Sequence, residues 1–188
     1  MADFYIAVNP VLIYPECLQS GKEQNCFDCG LYGRCPSSRS LCVQPYPGHK
    51  KGCPNYGVKP GCPPGAPLFD RVFDMQRQVY AIYSIFDLGA HVRKMRSRHP
   101  GWTQRQLHNA RFWQGTAGKA LRMNIGKFSA LYKKDGYYAT IVPEAMGVDV
   151  TQTMKNAGII LEWPAENTIY KIAVAGILKD QKYAHLLL

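Results

Sequence analysis

The sequence predicts an α+β fold: a single compact sheet with packed helices, joined to a loop-dominated, cysteine-rich N-terminal metal-binding region. Three observations lead to this prediction. All seven cysteines of the 188 residues, and most of the prolines, lie before residue 66. Beyond that point, β-branched and aromatic runs typical of strands alternate with apolar residues at helical spacing. With 46% hydrophobic and 19% charged residues, the composition is that of a folded globular protein.

The chain divides into two regions that we expect to form one structural unit. Residues 1–65 are predicted to be a cysteine-rich region that binds a metal or cluster, and residues 66–188 an α+β domain packed against it. In the first region we predict a short strand near Phe4–Val8, followed by loops and turns rich in Gly and Pro.

The second region is predicted to begin with a helix and a strand. In the stretch LFDRVFDMQRQ, the residues Leu68, Val72 and Met75 share one helical face. The run VYAIYSIFDL that follows is typical of a buried strand.

A second helix is predicted to begin at Thr103. Thr103 and Gln106 have the spacing of a capping box, and Trp102 and Leu107 have that of a hydrophobic staple. The apolar residues that recur at helical spacing should face the core. They are Leu107, Ala110, Trp113, Ala117 and Leu121.

The C-terminal part is predicted to contain a short helix and two strands. Asp149 can cap the helix VTQTMKNA, which Gly158 would end. The stretches IILEW and TIYKIAVAGIL are predicted to be strands on either side of a PAEN turn.

The positive charge lies in the middle of the chain. The net charge is +10, and residues 66–140 carry thirteen Lys and Arg against four Asp and Glu. Such a basic segment favours a phosphate-bearing substrate or a nucleic acid as partner, although a merely solvated basic face gives the same pattern. The run RKMRSR concentrates the charge on Arg93, Lys94, Arg96 and Arg98.

The sequence predicts a cytoplasmic protein that does not associate with a membrane. No apolar run approaches the length of a membrane span, and no basic stretch precedes an apolar one at the N-terminus. Disulfides are rare in the reducing cytoplasm, and seven cysteines cannot all pair within one chain. Metal or cluster binding therefore explains them better than a disulfide framework.

The spacing of the cysteines predicts two groups of ligands. Cys26, Cys29, Cys35 and Cys42 are close enough in sequence to complete a zinc site or hold an iron–sulfur cluster. Cys17, Cys53 and Cys62 are left for a second site. His49 is a possible further ligand, but an exposed loop histidine is the simpler interpretation.

Two segments resemble a family of predicted metal-binding proteins whose function is unknown. Cys53, Tyr56, Gly57 and the Cys-Pro-Pro step at residues 62–64 match the spacing of its cysteine loop. The segment PEAMGVDVTQTMKNAGI, residues 143–159, is similar to its closing segment. The family's first loop cysteine corresponds to Lys50 here. The resemblance implies metal binding and no particular reaction.

The preferred hypothesis is an iron–sulfur protein with one or two clusters, of the [4Fe-4S] type, that acts in redox or sulfur chemistry. A ligand set rich in Cys and poor in His, with Cys-Pro steps, favours it. One alternative is a zinc-stabilised module that binds nucleic acid. Another is a non-catalytic protein that transfers electrons to a redox partner. Because no nucleophile–base pair is recognisable, we assign no catalytic residue from sequence.

Overall fold

The computed structural model describes residues 4–13, 38–45, 49–59, 61–132 and 134–187. It confirms the predicted fold class, since the described residues form one four-stranded antiparallel sheet with helices packed on it. The four strands are β1 (Tyr5–Val8), β2 (Val79–Asp87), β3 (Tyr137–Thr140) and β4 (Thr168–Ile177).

Five α-helices and several short 3-10 helices connect the described strands. The α-helices are α1 (Phe69–Val72), α2 (Leu88–Arg98), α3 (Gln104–Leu107), α4 (Gln114–Leu131) and α5 (Val150–Asn156). The 3-10 helices are Ser38–Val43, Ala110–Phe112, Pro143–Met146 and Gln181–Leu186.

The strands are arranged in the order β1-β2-β4-β3, and each pairs antiparallel with its neighbours. The pairing between the central strands β2 and β4 is the longest. It runs from Tyr80, which lies opposite Ala175, to Asp87, which lies opposite Thr168. The pairing of β3 with β4 ends where Thr140 lies opposite Val174. The first half of β4 therefore extends beyond the end of β3.

Each face of the sheet has its own apolar core, because successive strand residues point to opposite faces. On one face Val174 packs with Met154 of α5 and the phenylalanines of the α1 segment. On the other face Ala173 and Ala175 pack against α4, which contributes Phe128. The small alanines allow this helix to approach the sheet closely.

Several local predictions are confirmed. The predicted strands near residues 4–8 and 79–87 are β1 and β2. Thr103 and Gln106 form the capping box at the start of α3. The side chain of Asp149 accepts a hydrogen bond from Gln152 N–H and caps α5, and Gly158 after that helix has a φ of +83°.

Other local predictions are wrong. The helix predicted from Leu68 includes Phe69–Val72 alone, and Met75 lies outside it. The helix predicted from Thr103 is interrupted after Leu107, since Asn109 caps a new turn by accepting from Arg111 N–H at 3.0 Å. IILEW is not a strand, and its Ile160 and Trp163 are 80% and 91% exposed.

One α-helix and one strand in the described part of the chain were not predicted. The helix α2 buries Leu88 and Gly89 and presents mostly basic residues, so its apolar periodicity is weak. It begins because the Asp87 side chain accepts a hydrogen bond from Ala90 N–H at 2.6 Å. The strand β3 has four residues, too few for a clear alternating pattern.

Candidate functional site: a thiol cluster beside a cavity

Cys42 and Cys53 are joined through their backbones. The backbone N–H of Cys53 donates to the carbonyl oxygen of Cys42 at 2.7 Å. Cys42 belongs to the 3-10 helix Ser38–Val43, and Cys53 follows a tight turn in which Gly52 N–H donates to the His49 carbonyl at 3.1 Å. The two cysteines, eleven positions apart, are thus neighbours in the fold.

Gly52 makes this close approach possible. Its φ is +83°, a conformation that residues with a side chain rarely adopt. A Cβ atom at this position would lie 2.5 Å from the Cys42 carbonyl oxygen and 2.9 Å from the backbone of Val43. Any larger residue would push the two cysteine-bearing segments apart.

Cys62 is held near them by two further hydrogen bonds. Gly57 N–H, in the turn that follows Cys53, donates to the Pro63 carbonyl at 2.8 Å. The guanidinium of Arg39, a residue that is only 6% exposed, donates to the Pro64 carbonyl at 2.8 Å. The segments that carry Cys42, Cys53 and Cys62 are therefore all linked.

The three side chains are free, half-buried thiols. Burial raises the pKa of Cys42, and the nearby thiols of Cys53 and Cys62 raise that pKa further, because a second negative charge would repel the first. The Arg39 guanidinium opposes this increase in the pKa. The thiols are thus close enough to interact electrostatically.

Glu144 connects the thiol cluster to a large cavity. Its carboxylate is among the charges that raise the pKa of Cys42, and it lines a cavity of about 1180 Å³. The residue is partly exposed to solvent, but desolvation of its carboxyl group raises the pKa of Glu144. The Lys171 ammonium, also in the cavity wall, opposes that increase.

The rest of the cavity wall combines charged and apolar groups. β4 contributes the part that extends beyond β3, from Thr168 to Ile172. The helix α4 contributes Arg122, and the segment before β4 contributes Trp163. A mostly apolar concave surface with a few charged groups is typical of a small-molecule site.

The structure brings together three predicted ligands that the spacing had assigned to two groups. Cys42, which the spacing grouped with Cys26, Cys29 and Cys35, lies beside Cys53 and Cys62. Cys17, Cys26, Cys29 and Cys35 lie outside the described residues, so their role stays a prediction. His49 is exposed, and its backbone carbonyl takes part in the turn before Gly52.

The sequence prediction did not identify Glu144 or the cavity as part of the site. Glu144 is about eighty positions from the nearest of the three cysteines, and no spacing links them. In the sequence, Glu144 is marked only by its position in the segment PEA, residues 143–145, which is part of the family resemblance.

Two absences concern the described residues. They contain no group of three or more His, Cys, Asp and Glu side chains that is already arranged to hold a metal ion. In the same part of the chain, no helix combines the length and the apolar character needed to cross a membrane.

Comparison of the chain with family models, with curated proteins and with solved structures gives no match.

Proposed function

We propose that this protein is an iron–sulfur protein that acts in redox or sulfur chemistry, with Cys42, Cys53 and Cys62 as ligands of one cluster. The observation that carries the proposal is the linkage of three cysteine-bearing segments by short hydrogen bonds, with all three thiols free. Structural cysteines are usually inert buried hydrophobes, whereas these are only half-buried, and Glu144, whose charge acts on Cys42, lines a cavity.

The three cysteine side chains are chemically suited to hold an iron–sulfur cluster. Thiolates are the usual ligands of iron–sulfur clusters, and a metal also relieves the mutual repulsion that disfavours three thiolates. Because the side chains are partly exposed, rotation about their Cα–Cβ bonds can bring the sulfur atoms together. Gly52 and Arg39 keep the cysteine-bearing backbone segments in place while the side chains rotate.

The position of the site beside the cavity supports a reaction there. When bound, a cluster would supply one-electron chemistry. The carboxyl group of Glu144 and the ammonium of Lys171 are placed to bind polar groups of a ligand in the cavity. Three cysteine ligands also leave one position for a further ligand, from the chain or from the substrate.

This proposal moves Cys42 out of the predicted group of four. Cys17, Cys26, Cys29 and Cys35 remain candidates for completing this site or for forming a second one. The resemblance to the predicted metal-binding family supports the same loop, since Cys53 and Cys62 carry it.

Zinc is the second candidate for the same ligands. Thiolates bind zinc tetrahedrally and can stabilise loops that lack an apolar core. In that case the protein would be a zinc-stabilised binding module or a partner protein without a reaction of its own.

Metal analysis of protein purified without oxygen distinguishes these possibilities. We expect a brown protein with visible absorbance that contains iron and acid-labile sulfide. Each of the variants Cys42→Ser, Cys53→Ser and Cys62→Ser should lower the iron content, because each removes one ligand of the same site. A colourless protein with stoichiometric zinc would rule out the cluster.

A matched control comes from the same loop. Val58 is 74% exposed between Cys53 and Cys62. Val58→Ser should leave the iron content unchanged, since no ligand is lost. An equal loss of iron in this variant would mean that the loop, and not the thiols, determines binding.

A further inference from the structure

A second cavity lies next to the helix α2 (Leu88–Arg98). Its volume is about 390 Å³, within the usual range of small-ligand sites. Five residues of α2 that line it have helical spacing and share one face: Ala90, His91, Lys94, Met95 and Arg98. It shares no lining residue with the large cavity next to Glu144.

The charged groups make this cavity attractive to anions. Lys94 and Arg98 are exposed, and neither forms a salt bridge with another described residue. The carboxylate of Asp87, also in the wall, accepts the hydrogen bond from Ala90 N–H that caps α2. The cavity wall therefore carries two cations and one carboxylate, and that carboxylate already accepts a hydrogen bond.

Aromatic rings lie beside these cations. Phe112 lines the cavity and is 48% exposed. It belongs to a row of rings: Trp102 stacks on His99 with centroids 4.1 Å apart, and lies 4.9 Å from the ring of Phe112. Phe86, in the wall of the cavity, is stacked on Trp113 at 5.6 Å. A planar ring in the cavity can therefore contact an aromatic surface.

His91 adds a polar atom whose hydrogen bonding is incomplete. Its Nε2 is buried and has no hydrogen-bond partner among the described residues. Burial and the nearby Lys94 ammonium lower the pKa of His91, which favours the neutral form of the ring. A neutral imidazole has one donor and one acceptor nitrogen, which suits the polar edge of a base.

We propose that this surface binds single-stranded nucleic acid, with phosphates on Lys94 and Arg98 and one base in the cavity against Phe112. Proteins bind single strands with cationic side chains that contact the phosphate backbone and with exposed aromatic rings on which the bases stack. A duplex keeps its bases stacked and cannot insert one into a cavity without unpairing it. The proposal is independent of the thiol site.

The other two arginines of the basic run have different surroundings. The guanidinium of Arg96 donates to the Trp102 carbonyl at 2.7 Å and to the Gln104 side chain at 3.1 Å, so it holds the turn before α3. Arg93 lies on another face of α2, near Gly89. The structure therefore selects Lys94 and Arg98 from a run that the sequence treats as one patch.

Fluorescence anisotropy with labelled oligouridine and oligothymidine, at low salt and on the full chain, tests the proposal. Lys94→Gln combined with Arg98→Gln should weaken binding about tenfold or more and reduce the slope of log affinity against log salt by about 1.4. Phe112→Ala should weaken binding about tenfold with no change in that slope, because stacking and not charge is lost.

The control variant removes two charges elsewhere. Arg93 and Lys155 are exposed and do not line this cavity, so Arg93→Gln combined with Lys155→Gln should retain most of the affinity. Circular dichroism should stay unchanged in every variant.

Three results would overturn the proposal. The first is no binding to either oligonucleotide, and the second is an equal loss of affinity in the control variant. The third is polyglutamate that competes as well as the unlabelled oligonucleotide, which would mean that the surface attracts any acidic chain.

Discussion

Gly52 is the residue whose substitution tests the geometry of the thiol cluster most simply. It combines a φ of +83° with a Cβ position 2.5 Å from the Cys42 carbonyl oxygen. Gly52→Ala should therefore lower the free energy of unfolding by about 3 kcal/mol or more, from backbone strain and steric overlap together. It should also lower the iron content. Denaturant unfolding and metal analysis check both results.

Gly57 provides the control at the same scale. Its φ is +68°, but a Cβ atom there would meet nothing within 4 Å. Gly57→Ala should cost about 1–2 kcal/mol, the strain of the left-handed conformation alone. Equal losses of stability in the two variants would mean that close contact with Cys42 does not matter.

Glu162 makes the stability of the segment before β4 depend on pH. Its carboxylate accepts hydrogen bonds from the backbone N–H groups of Thr168 at 2.7 Å and Asn167 at 3.0 Å. Because these bonds favour the charged form, they lower the pKa of Glu162 in the folded protein. The carboxylate therefore stabilises the fold above its ordinary pKa, and this contribution is lost as the pH falls through the lowered value.

Glu162→Gln should remove that contribution. The variant should be less stable than the wild type near neutral pH, and the difference should shrink below about pH 4. Urea unfolding at several pH values measures this difference. A difference that is constant with pH would show that the carboxylate charge plays no part.

At the scale of elements, the cap of α5 (Val150–Asn156) supports one wall of the large cavity. The Asp149 side chain accepts from Gln152 N–H at 2.9 Å, and both Asp149 and Val150 line the cavity. Asp149→Ala should lower the free energy of unfolding by about 1 kcal/mol. Thr151→Ala, at an exposed position of the same helix, should change it by less than about 0.5 kcal/mol, and a thermal melt compares the two variants.

The caps were predictable because their chemistry is local. Asp149 and Thr103 bond to groups three residues away, so the sequence alone shows donor and acceptor. The interruption after Leu107 was not predictable in the same way, since its apolar residues continue at helical spacing while Asn109 starts a new turn. The helix α2 was missed because it buries few of its residues and therefore lacks an apolar stripe.

At the scale of the whole molecule, the candidate site depends on contacts that spacing cannot reveal. The sequence directed attention to Cys53 and Cys62, because a stiff Gly-Pro loop has no apolar reason to carry thiols. It could not show that Cys42 lies next to them, since that placement rests on one backbone hydrogen bond and on the missing side chain of Gly52. Glu144 comes from a distant segment, and only the fold brings it to the thiols.

The central claim is that Cys42, Cys53 and Cys62 share one metal site. Thiol alkylation followed by peptide mass spectrometry tests it most directly, on anaerobically purified protein exposed to increasing chelator. The account predicts that these three cysteines are protected in the loaded protein and become reactive together, at the same chelator concentration. Protection of Cys42 that instead follows Cys26, Cys29 and Cys35, and is independent of Cys53 and Cys62, would contradict it.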